Sequence, residues 1–469
     1  MGEIDIRTGA STHFIGIGGA GMSGIALVMA QRGLAVSGSD LKASRYTQTL
    51  EAACVKVVIG HAEENIVDPS VVVVSSAIRQ TNPEYAAATA KGLEIWPRAK
   101  MLARLAEDRA TIAVAGTHGK TSTSAIAATM LAGMGLDPTF VVGGEVSGFN
   151  TNARNGSGPH YVVEADESDG SFIYLDPKVA IVTNVEADHL DHYGSLEAIE
   201  RTFVEFMCRV SVTGALVLCA DDARLLELAA SCPARQVTYG FADEAMVRCE
   251  ILGPCKLGSR FSVRFPDSTT IESSIIVPGA HMVANATAAL ATAWALELDV
   301  VAAAAALAKF TGVRRRFDLV GEAAGVTIVD DYAHHPTELK ATVGAARQCG
   351  YGRVWVVFQP HRYSRTGAFA KEFGEAFVDA DHVVFMDVYS AGEVPIPGVS
   401  GKTILDAVLE HDARAQVVYL PHRADLVPFL VSKLHAGDLL MTMGAGDVTA
   451  VGPELLQAII DGEEQRGCP

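Results

Sequence analysis

The stretch ATIAVAGTHGKTS, residues 110–122, decides the fold of the chain. Its apolar start predicts a buried strand, and TSTSAIAATMLAGMG, 121–135, predicts a helix with threonine and serine in the first turn and glycine past its end. Between them lies GTHGKTS, Gly116 to Ser122, a loop shorter than the usual G-x-x-x-x-G-K-[ST] spacing. Strand, glycine-rich loop and helix in this order predict a parallel α/β sheet with a phosphate site at the helix N-terminus.

Two side chains of this loop carry chemistry as well as geometry. Lys120 supplies a cation for phosphate oxygens, and Thr121 supplies a hydroxyl for Mg²⁺. We interpret His118 as a loop residue without direct chemistry. The competing interpretation is a chance G-K-T after a strand, so the loop needs support from carboxylates elsewhere in the chain.

Such carboxylates follow two later strands. YVVEADESDG places Glu164 at a strand end, with Asp166, Glu167 and Asp169 behind it, and TNVEADHLDHYG contains Asp188, His189, Asp191 and His192. The ends of parallel strands face the ligand crevice of an open sheet. A solvated acidic turn and a zinc site are the alternatives, but Mg²⁺ with mostly oxygen ligands fits better beside a phosphate loop.

A second glycine cluster, GIGGAGMSG from Gly16 to Gly24, lies nearer the start of the chain. It follows a predicted strand and opens a predicted helix, and Asp40 ends the next strand, where a ribose-binding carboxylate would lie. Three interpretations remain open: a nicotinamide or flavin dinucleotide site, a turn needed only for packing, and a site for the diphosphate of another nucleotide.

The last third of the chain contains VRRRFD, VDDYAHHPTE and QPHRYSRT. Arginines and histidines at strand ends can hold a carboxylate or a phosphate. Two other interpretations compete, a di-metal hydrolase built on Asp330, Asp331, His334 and His335, and arginines that pair only with surface acids.

Composition narrows the class of protein. The 469 residues are 49% apolar and 20% charged, with a net charge of −18, which argues against non-specific nucleic-acid binding. No apolar run approaches the roughly 18 residues that span a bilayer, so we expect no membrane partner. The eight cysteines form no C-x-x-C pair, and the N-terminus lacks a basic start followed by an apolar run. We therefore expect a cytoplasmic protein with reduced thiols.

Alternating strand and helix patterns recur three times and predict three α/β domains. We expect a Rossmann-like domain at residues 1–107, a central P-loop ATPase-like domain with a parallel sheet at 108–312, and a Rossmann-like domain at 313–469. Segment 245–278 is richer in short strand patterns and is expected to form a small antiparallel piece.

Taken together, these motifs resemble the Mur ligase family, the ATP-dependent amino-acid-adding enzymes of peptidoglycan precursor synthesis. The resemblance covers nearly the whole chain in order and is greatest to the alanine-adding branch. That branch is similar in lacking a lysine after the D-H-x-D block, where several sister enzymes carry a carbamylated one; here GSLEAIERTFVEFMCRV contains none. The family's ATP loop is itself short, which accounts for the spacing of GTHGKTS.

The resemblance implies roles for individual residues. The nucleotide of ATP would meet Gly116, Thr117, His118, Gly119, Lys120, Thr121, Ser122, His281, Asn285, Arg316 and Asp331. Thr121 and Glu164 would ligate one Mg²⁺ and His189 a second, and catalysis would depend on Lys120, Glu164, His189 and Arg316. The first glycine loop would bind a UDP-sugar through Gly18, Gly19, Ala20, Gly21, Met22, Ser23, Asp40, Ser75 and Ser76. The amino acid would meet Tyr332, His334, His361, Arg362 and Arg365.

The implied substrates are UDP-N-acetylmuramate, L-alanine and ATP, joined through an acyl phosphate with Mg²⁺ as cofactor. A ligase that recycles a ready-made tripeptide is the nearest alternative, because it shares the ATP loop. An NAD-dependent oxidoreductase is the alternative from another class, but it leaves GTHGKTS, the carboxylates and the arginines without roles. A nucleotide-binding regulator without catalysis is a third.

Overall fold

The computed structural model describes residues 9–168, 170–255 and 257–467, so Asp169 of the predicted acidic group lies outside the described residues. The chain divides into two compact units. The larger unit runs through Glu250 and adds Ser262–Ser273 and Ala284–Thr311. The smaller unit contains Ile251–Phe261, Ser274–Val283 and the chain from Gly312 onward.

The first sheet of the larger unit has the strand order 3-2-1-4-5, and its strands are all parallel. Its elements are β1 (Ser11–Ile15), α1 (Ala20–Gln31), β2 (Ala35–Asp40), α2 (Arg45–Ala52), β3 (Lys56–Ile59), β4 (Val71–Val74), α3 (Pro83–Ala90), β5 (Glu94–Pro97) and α4 (Arg98–Ala106). The order reverses at β1, so the crevice between β1 and β4 opens at the carboxyl ends of the strands, where α/β sheets bind ligands. The glycine cluster lies between β1 and α1, as predicted.

The second sheet has ten strands in the order β15-β14-β13-β12-β11-β10-β6-β9-β7-β8. From β13 to β8 neighbouring strands are parallel except for the β7–β8 pair. Its first elements are β6 (Ala110–Ala115), α5 (Lys120–Gly133), β7 (Thr139–Val146), β8 (Thr151–Arg154), β9 (His160–Glu164), β10 (Val179–Val182), α6 (Leu190–Tyr193) and α7 (Leu196–Cys208). Then follow β11 (Ala215–Cys219), α8 (Ala223–Ala229), β12 (Arg235–Gly240), β13 (Val247–Cys255), β14 (Gly258–Arg264), β15 (Thr270–Ile275), α9 (Ala280–Ala295) and α10 (Val300–Leu307). The segment predicted to be strand-rich thus carries β13 to β15, whose residues are divided between the two units.

The third sheet belongs to the smaller unit and has the order β16-β17-β21-β18-β19-β20. Only the β16–β17 pair is antiparallel. Its elements are β16 (Asp318–Ala323), β17 (Val326–Asp331), α11 (Pro336–Gln348), β18 (Arg353–Phe358), α12 (Tyr363–Ala368), α13 (Ala370–Gly374), β19 (His382–Phe385), α14 (Gly401–His411), β20 (Val417–Tyr419), α15 (Leu426–Val431), β21 (Asp438–Met443) and α16 (Val451–Gly467). Short 3-10 turns lie at Glu63–Asn65, Ser171–Tyr174, Arg423–Asp425 and Asp447–Ala450.

Three sheets of mostly parallel strands confirm the predicted α/β class. Helix α1 packs against β7 and β8, where a Cβ on Gly24 would lie 3.2 Å from both Val141 and Ala153, so glycine allows this close packing. The first two predicted domains therefore share one core within the larger unit. The predicted domain boundaries remain a prediction. Among the described residues, no helix combines the length and the apolar character needed to cross a bilayer.

Candidate active site

The short phosphate loop turns sharply between β6 and α5. Gly116 has a φ of 133° and Gly119 a φ of 83°, both in the region that favours glycine. A Cβ on Gly116 would lie 2.0 Å from Thr183 Oγ1, so a larger residue has no space there. The His118 N–H donates to Asn184 Oδ1 at 2.9 Å, which anchors the loop to the end of β10. The remaining N–H groups of the α5 N-terminus face the position where a phosphate would bind.

Lys120 begins α5, and its largely buried side chain lies among oxygen atoms. Its ammonium donates to the carbonyls of Gly116 and Thr117 at 2.7 and 3.0 Å and pairs with Glu167 Oε1 at 2.7 Å. Burial alone lowers the pKa of Lys120, but the charges of Glu167 and Asp166 outweigh it and raise the pKa above the usual value. Lys120 is therefore a fixed cation at the base of the loop, held by a carboxylate that the sequence analysis left without a role.

Thr121 and Glu164, predicted to share a metal ion, lie together. The Thr121 hydroxyl donates to Glu164 Oε1 at 3.1 Å, and the Gly143 N–H donates to Glu164 Oε2 at 2.6 Å. Glu164 ends β9, and Thr121 is the second residue of α5, which follows the neighbouring strand β6. The parallel pairing of β6 and β9 thus places a hydroxyl and a carboxylate at one edge of the phosphate loop.

His189, the third predicted metal ligand, lies beside other carboxylates. Its Nε2 is 3.9 Å from Glu167 Oε1 and 3.7 Å from Asp188 Oδ2. Its φ of 52° is left-handed, a conformation that non-glycine residues adopt only where surrounding contacts hold it. The structure thus places His189 beside Glu167 and Asp188.

The carboxylates outnumber the cations around the loop. Burial raises the pKa of Glu167 to about 7, with Asp166 adding to the rise and Lys120 opposing it. Glu167 Oε2 is buried without a hydrogen-bond partner, although the other oxygen of the same carboxylate is bound to Lys120. A hard divalent cation binds oxygen ligands of this kind. The orphaned oxygen and the Thr121–Glu164 pair therefore fit Mg²⁺.

The first glycine loop is tied to the strand beside it. The Gly18 N–H donates to Asp40 Oδ2 at 2.8 Å, and Gly19 is the residue before α1. Arg98 was missed by the sequence analysis: a Cβ on Gly21 would lie 2.7 Å from its Nη1, and its Nη2 lies 3.2 Å from Asp166 Oδ2. Arg98 thus adds a cation near the α1 N-terminus and reaches the acidic turn that follows β9.

The other residues predicted to contact the sugar nucleotide also lie along this edge. Ala20, Met22 and Ser23 form the first turn of α1, and Ser75 and Ser76 follow β4, on the opposite side of the crevice. Ile78, next to these serines, covers Gly16, where a Cβ would lie 3.3 Å from the Ile78 side chain. The edge therefore offers backbone donors and a helix N-terminus to an anion.

In the smaller unit, Arg316 and Asp331 lie near the end of β17. Asp331 accepts hydrogen bonds from the N–H groups of Phe317 and Ala333, both at 2.7 Å. Burial raises its pKa to about 6, and the Arg316 charge opposes the rise. Arg316 Nη1 lies 3.8 Å from Glu338 Oε1. Burial and the same arginine lower the pKa of His281 to about 4, so His281 is neutral at pH 7.

The predicted amino-acid site is an aromatic and cationic cluster. The rings of His334 and His361 meet edge to face at 5.6 Å, and His334 meets Tyr332 in the same way at 5.2 Å. Burial lowers the pKa of His334 to about 3, with Glu338 opposing the change and Arg365 adding to it. Arg365 is buried, which a surface ion pair would not require.

Arg362 joins this cluster through its backbone. It has a φ of 67°, and its N–H donates to the Tyr389 carbonyl at 2.9 Å.

In the larger unit, Asn285 lies against the phosphate loop, 3.0 Å from where a Cβ on Gly119 would be. Ser122 and Thr117 are buried in the loop and the first turn of α5. Thr121 and Glu164, expected to hold one ion, thus lie together, and His189, expected to hold a second, lies beside Glu167 and Asp188.

Comparisons with known proteins agree with these three regions. The family model for the Mur ligase family, catalytic domain, matches residues 11–110. The Mur ligase middle domain matches 114–293, and the Mur ligase, glutamate ligase domain matches 315–446.

Individual relatives match over nearly the full length. The chain is 47% identical over 456 residues to a UDP-N-acetylmuramate--L-alanine ligase of Pelotomaculum thermopropionicum, covering 96% of this chain and 98% of the relative. It is 45% identical to the same enzyme of Myxococcus xanthus, covering 97% and 96%. A UDP-N-acetylmuramate-alanine ligase of Thermotoga maritima matches with a TM-score of 0.81 and 28% identity, covering 97% of this chain and all of that one. A murein peptide ligase of Psychrobacter arcticus matches with a TM-score of 0.72 and 26% identity, covering 96% and 99%.

Proposed function

The chain belongs to the Mur ligase family, and we propose that it joins L-alanine to the carboxylate of UDP-N-acetylmuramate with ATP, in peptidoglycan precursor synthesis. The observation that carries this proposal is the phosphate loop, in which Lys120 is buried as a cation and Thr121 meets Glu164. Relatives at 45–48% identity over nearly the full length are named as ligases of this type. An NAD-dependent oxidoreductase has no support among them.

The chemistry requires activation of a carboxylate, since an amine cannot displace oxide from it. A carboxylate oxygen of the sugar nucleotide attacks the γ-phosphorus of ATP, the bond to the β-phosphate oxygen breaks, and ADP leaves. The amine of alanine then attacks the acyl carbon, phosphate leaves, and the amine loses its protons to solvent or a nearby base. The products are an amide, ADP and phosphate.

Most of the rate enhancement would come from positioning and electrostatics, because charge develops on the transferred phosphoryl group. Lys120 would contact the β- and γ-phosphates, and the N–H groups of Gly119 and the first turn of α5 would hold the phosphate oxygens. Mg²⁺, held by Thr121 and Glu164 with His189 and Glu167 nearby, would supply positive charge to the phosphates.

The two other substrates would bind at the remaining edges. The diphosphate of the sugar nucleotide fits the N-terminus of α1, where Arg98 adds a cation. Alanine fits the cluster of the smaller unit, where the guanidinium of Arg365 can hold a carboxylate in a bidentate manner. The neutral imidazole of His334 is suited to accept a hydrogen bond from the amine.

Phosphate release tests the proposal directly. The protein is incubated with ATP, Mg²⁺ and UDP-N-acetylmuramate, and each common amino acid is added in turn. Release that depends on alanine supports the proposal, and release that depends on a tripeptide instead would move the chain to the recycling ligases. Release with no amine acceptor at all would leave a nucleotide hydrolase.

A further inference from the structure

Glu84 is a buried carboxylate that the proposed mechanism does not use. It lies in the first turn of α3, and its side chain has no solvent exposure. Its Oε2 accepts hydrogen bonds from Ser39 Oγ at 2.6 Å and His13 Nε2 at 3.0 Å. Its Oε1 accepts from Asn65 Nδ2 at 2.6 Å and from the Ala62 N–H at 3.2 Å. One carboxylate thus joins β1, β2 and the segment after β3.

Glu84 is ionised in spite of its burial. Burial alone raises its pKa, but the hydrogen bonds from His13, Ser39 and Asn65 outweigh this effect and lower the pKa to about 2. A carboxylate in this state only accepts hydrogen bonds. Every group that touches Glu84 must therefore donate to it, and this requirement fixes the position of protons in the neighbouring side chains.

The position of the proton on His61 is fixed indirectly, through Ser39. Its Nδ1 lies 2.9 Å from Ser39 Oγ and 3.4 Å from Glu84 Oε1. The single hydroxyl proton of Ser39 is directed to Glu84, so Ser39 can only accept from His61. Nδ1 of His61 must then carry the proton. In the neutral ring the other nitrogen, Nε2, is left with a lone pair and is an acceptor.

His61 also lies at the edge where the sugar nucleotide is proposed to bind. It follows β3, and the Gly60 N–H before it donates to the Asp40 carbonyl at 2.8 Å. The carboxylate of Asp40 accepts from Gly18 of the glycine loop, and the N–H groups of Gly16 and Ile17 donate to the Ser39 carbonyl. Residues 39 and 40 therefore connect His61 to the glycine loop on one side of the sheet.

We propose that Glu84 is a positioning residue for nucleoside recognition: through Ser39 it holds His61 with its proton on Nδ1, so that Nε2 accepts a hydrogen bond from the uridine part of the sugar nucleotide. The donor is an N–H or O–H group of the nucleoside, either the imide N–H of the base or a ribose hydroxyl. This inference rests on the proposed binding of a UDP-sugar at the first glycine loop.

Glu84→Gln tests the proposal because glutamine puts an NH₂ donor where only acceptors fit. If the NH₂ group faces Ser39, Ser39 accepts from it and donates to His61, which moves the proton of His61 to Nε2. If it faces Asn65 and Ala62, two donors meet and the segment that carries His61 is displaced. In either case Nε2 no longer serves as an acceptor, and a lost hydrogen bond weakens UDP binding roughly 5- to 10-fold.

Two measurements on the full-length protein decide the matter. ¹⁵N-detected histidine NMR of the wild type, with His61→Ala to assign the signal, reads the tautomer; a proton on Nδ1 is expected and a proton on Nε2 would overturn the proposal. Calorimetric titration with UDP reads the affinity of wild type, Glu84→Gln, His61→Ala and the double variant. If Glu84 acts through His61, Glu84→Gln weakens UDP binding in the wild type but has no further effect in His61→Ala.

Equal weakening of UDP binding in both backgrounds would make Glu84 a structural residue and overturn the proposal. Titrations with 2′-deoxy-UDP and N3-methyl-UDP identify the donor. The analogue that lacks the donor should bind the wild type more weakly than UDP does, whereas His61→Ala should bind that analogue and UDP equally. Glu51→Gln, on the exposed face of α2, is the matched control and should bind UDP normally. The Michaelis constant for ATP should be unchanged in every variant.

If Glu84→Gln does not fold, Ser39→Ala replaces it. Glu84 then remains ionised and can accept from His61 Nδ1 directly, so the tautomer should persist while UDP binding weakens less than in His61→Ala. Loss of the Nδ1 proton in Ser39→Ala would contradict the role given to Glu84. The proposed ligase activity is tested separately, since alanine-dependent phosphate release by the wild type does not depend on the state of His61.

Discussion

Replacing Lys120 with methionine should do more than stop catalysis, because Lys120 is the partner of a buried carboxylate. Its ammonium lies 2.7 Å from Glu167 Oε1, and both side chains are nearly inaccessible to solvent. In Lys120→Met, Glu167 remains buried while its second oxygen already has no partner. Removing one member of a buried ion pair typically costs about 3–5 kcal/mol. We therefore expect lost turnover together with a large loss of stability.

The double variant Lys120→Met/Glu167→Gln separates these two effects. Replacement of both members removes the uncompensated charge, and replacing a whole buried pair by neutral groups is often close to neutral for stability. The double variant should recover most of the free energy of unfolding and still release no phosphate. Lys100→Met is the control. The Lys100 ammonium lies over the Trp96 ring, 4.2 Å from its centroid, so this substitution removes the same charge without leaving a buried carboxylate unpaired.

Urea unfolding and phosphate release, measured at pH 8, test this prediction. That pH lies above the pKa of about 7 of Glu167, so its carboxylate is ionised before the substitution. The expected order of urea midpoints is wild type and Lys100→Met highest, the double variant next, and Lys120→Met lowest. Equal midpoints for Lys120→Met and the double variant would refute the ion-pair argument, and normal turnover of either would refute the role of the loop.

Three further predictions follow from the same contacts. Glu164→Gln should raise the Mg²⁺ concentration needed for half-maximal phosphate release, because it removes charge beside Thr121 but keeps the shape; an unchanged Mg²⁺ dependence would make Glu164 a structural acid. Arg365→Lys should raise KM for alanine roughly 10- to 150-fold, the range of one lost charge-assisted hydrogen bond, and leave KM for ATP nearly unchanged; a rise confined to ATP would place Arg365 on the nucleotide. In the folded protein His334 has a pKa of about 3, below its usual value, so it binds fewer protons in the folded state than in the unfolded state. The free energy of unfolding should therefore fall as the pH drops from about 6.5 to 3, by up to about 1.4 kcal/mol per pH unit. His334→Gln should show a shallower fall by urea unfolding, and an equal slope would contradict the burial argument.

The strands that carry the site were predictable because their sequences are apolar runs followed by small turn residues. The buried strand β4 is followed by Ser75 and Ser76, and the buried strand β6 by Gly116. The strands at the edges of the sheets were harder to predict from the sequence. β5, whose sequence is EIWP, is short and ends in proline, and β16, whose sequence is DLVGEA, contains a glycine and two acids, so neither pattern distinguishes a strand from a connection. A proline at an edge position removes no hydrogen bond from the sheet, so its presence did not exclude a strand.

The contacts of the site were predictable from the sequence where the order of the strands brings two residues together. They were not predictable where a long side chain extends to a residue that is distant in the sequence. Thr121 and Glu164 meet because β6 and β9 are neighbours and both end at the loop. The partner of Lys120 depends on how the turn after β9 folds, and the sequence does not distinguish Glu167 from Asp166 and Asp169. Arg98 is separated by 68 residues from Asp166, and nothing in RAKMLARLA distinguishes it from a solvated arginine.

The surplus of acid around the phosphate loop is a physical reason for the proposed metal ion. Glu164, Asp166 and Glu167 face the same small region as Lys120, and the triphosphate of ATP would add further negative charge. Like charges at a few ångströms repel strongly in a poorly solvated site. One Mg²⁺ beside Glu164 and Thr121 would cancel two of these charges. If Lys120 contacted the phosphates instead of Glu167, the Glu167 carboxylate would be available to the metal. In Glu167→Gln, the affinity for ATP should therefore depend less on the Mg²⁺ concentration than it does in the wild type. Titration with a fluorescent ATP analogue at several Mg²⁺ concentrations measures this dependence. An identical Mg²⁺ dependence in the two proteins would show that Glu167 serves Lys120 alone.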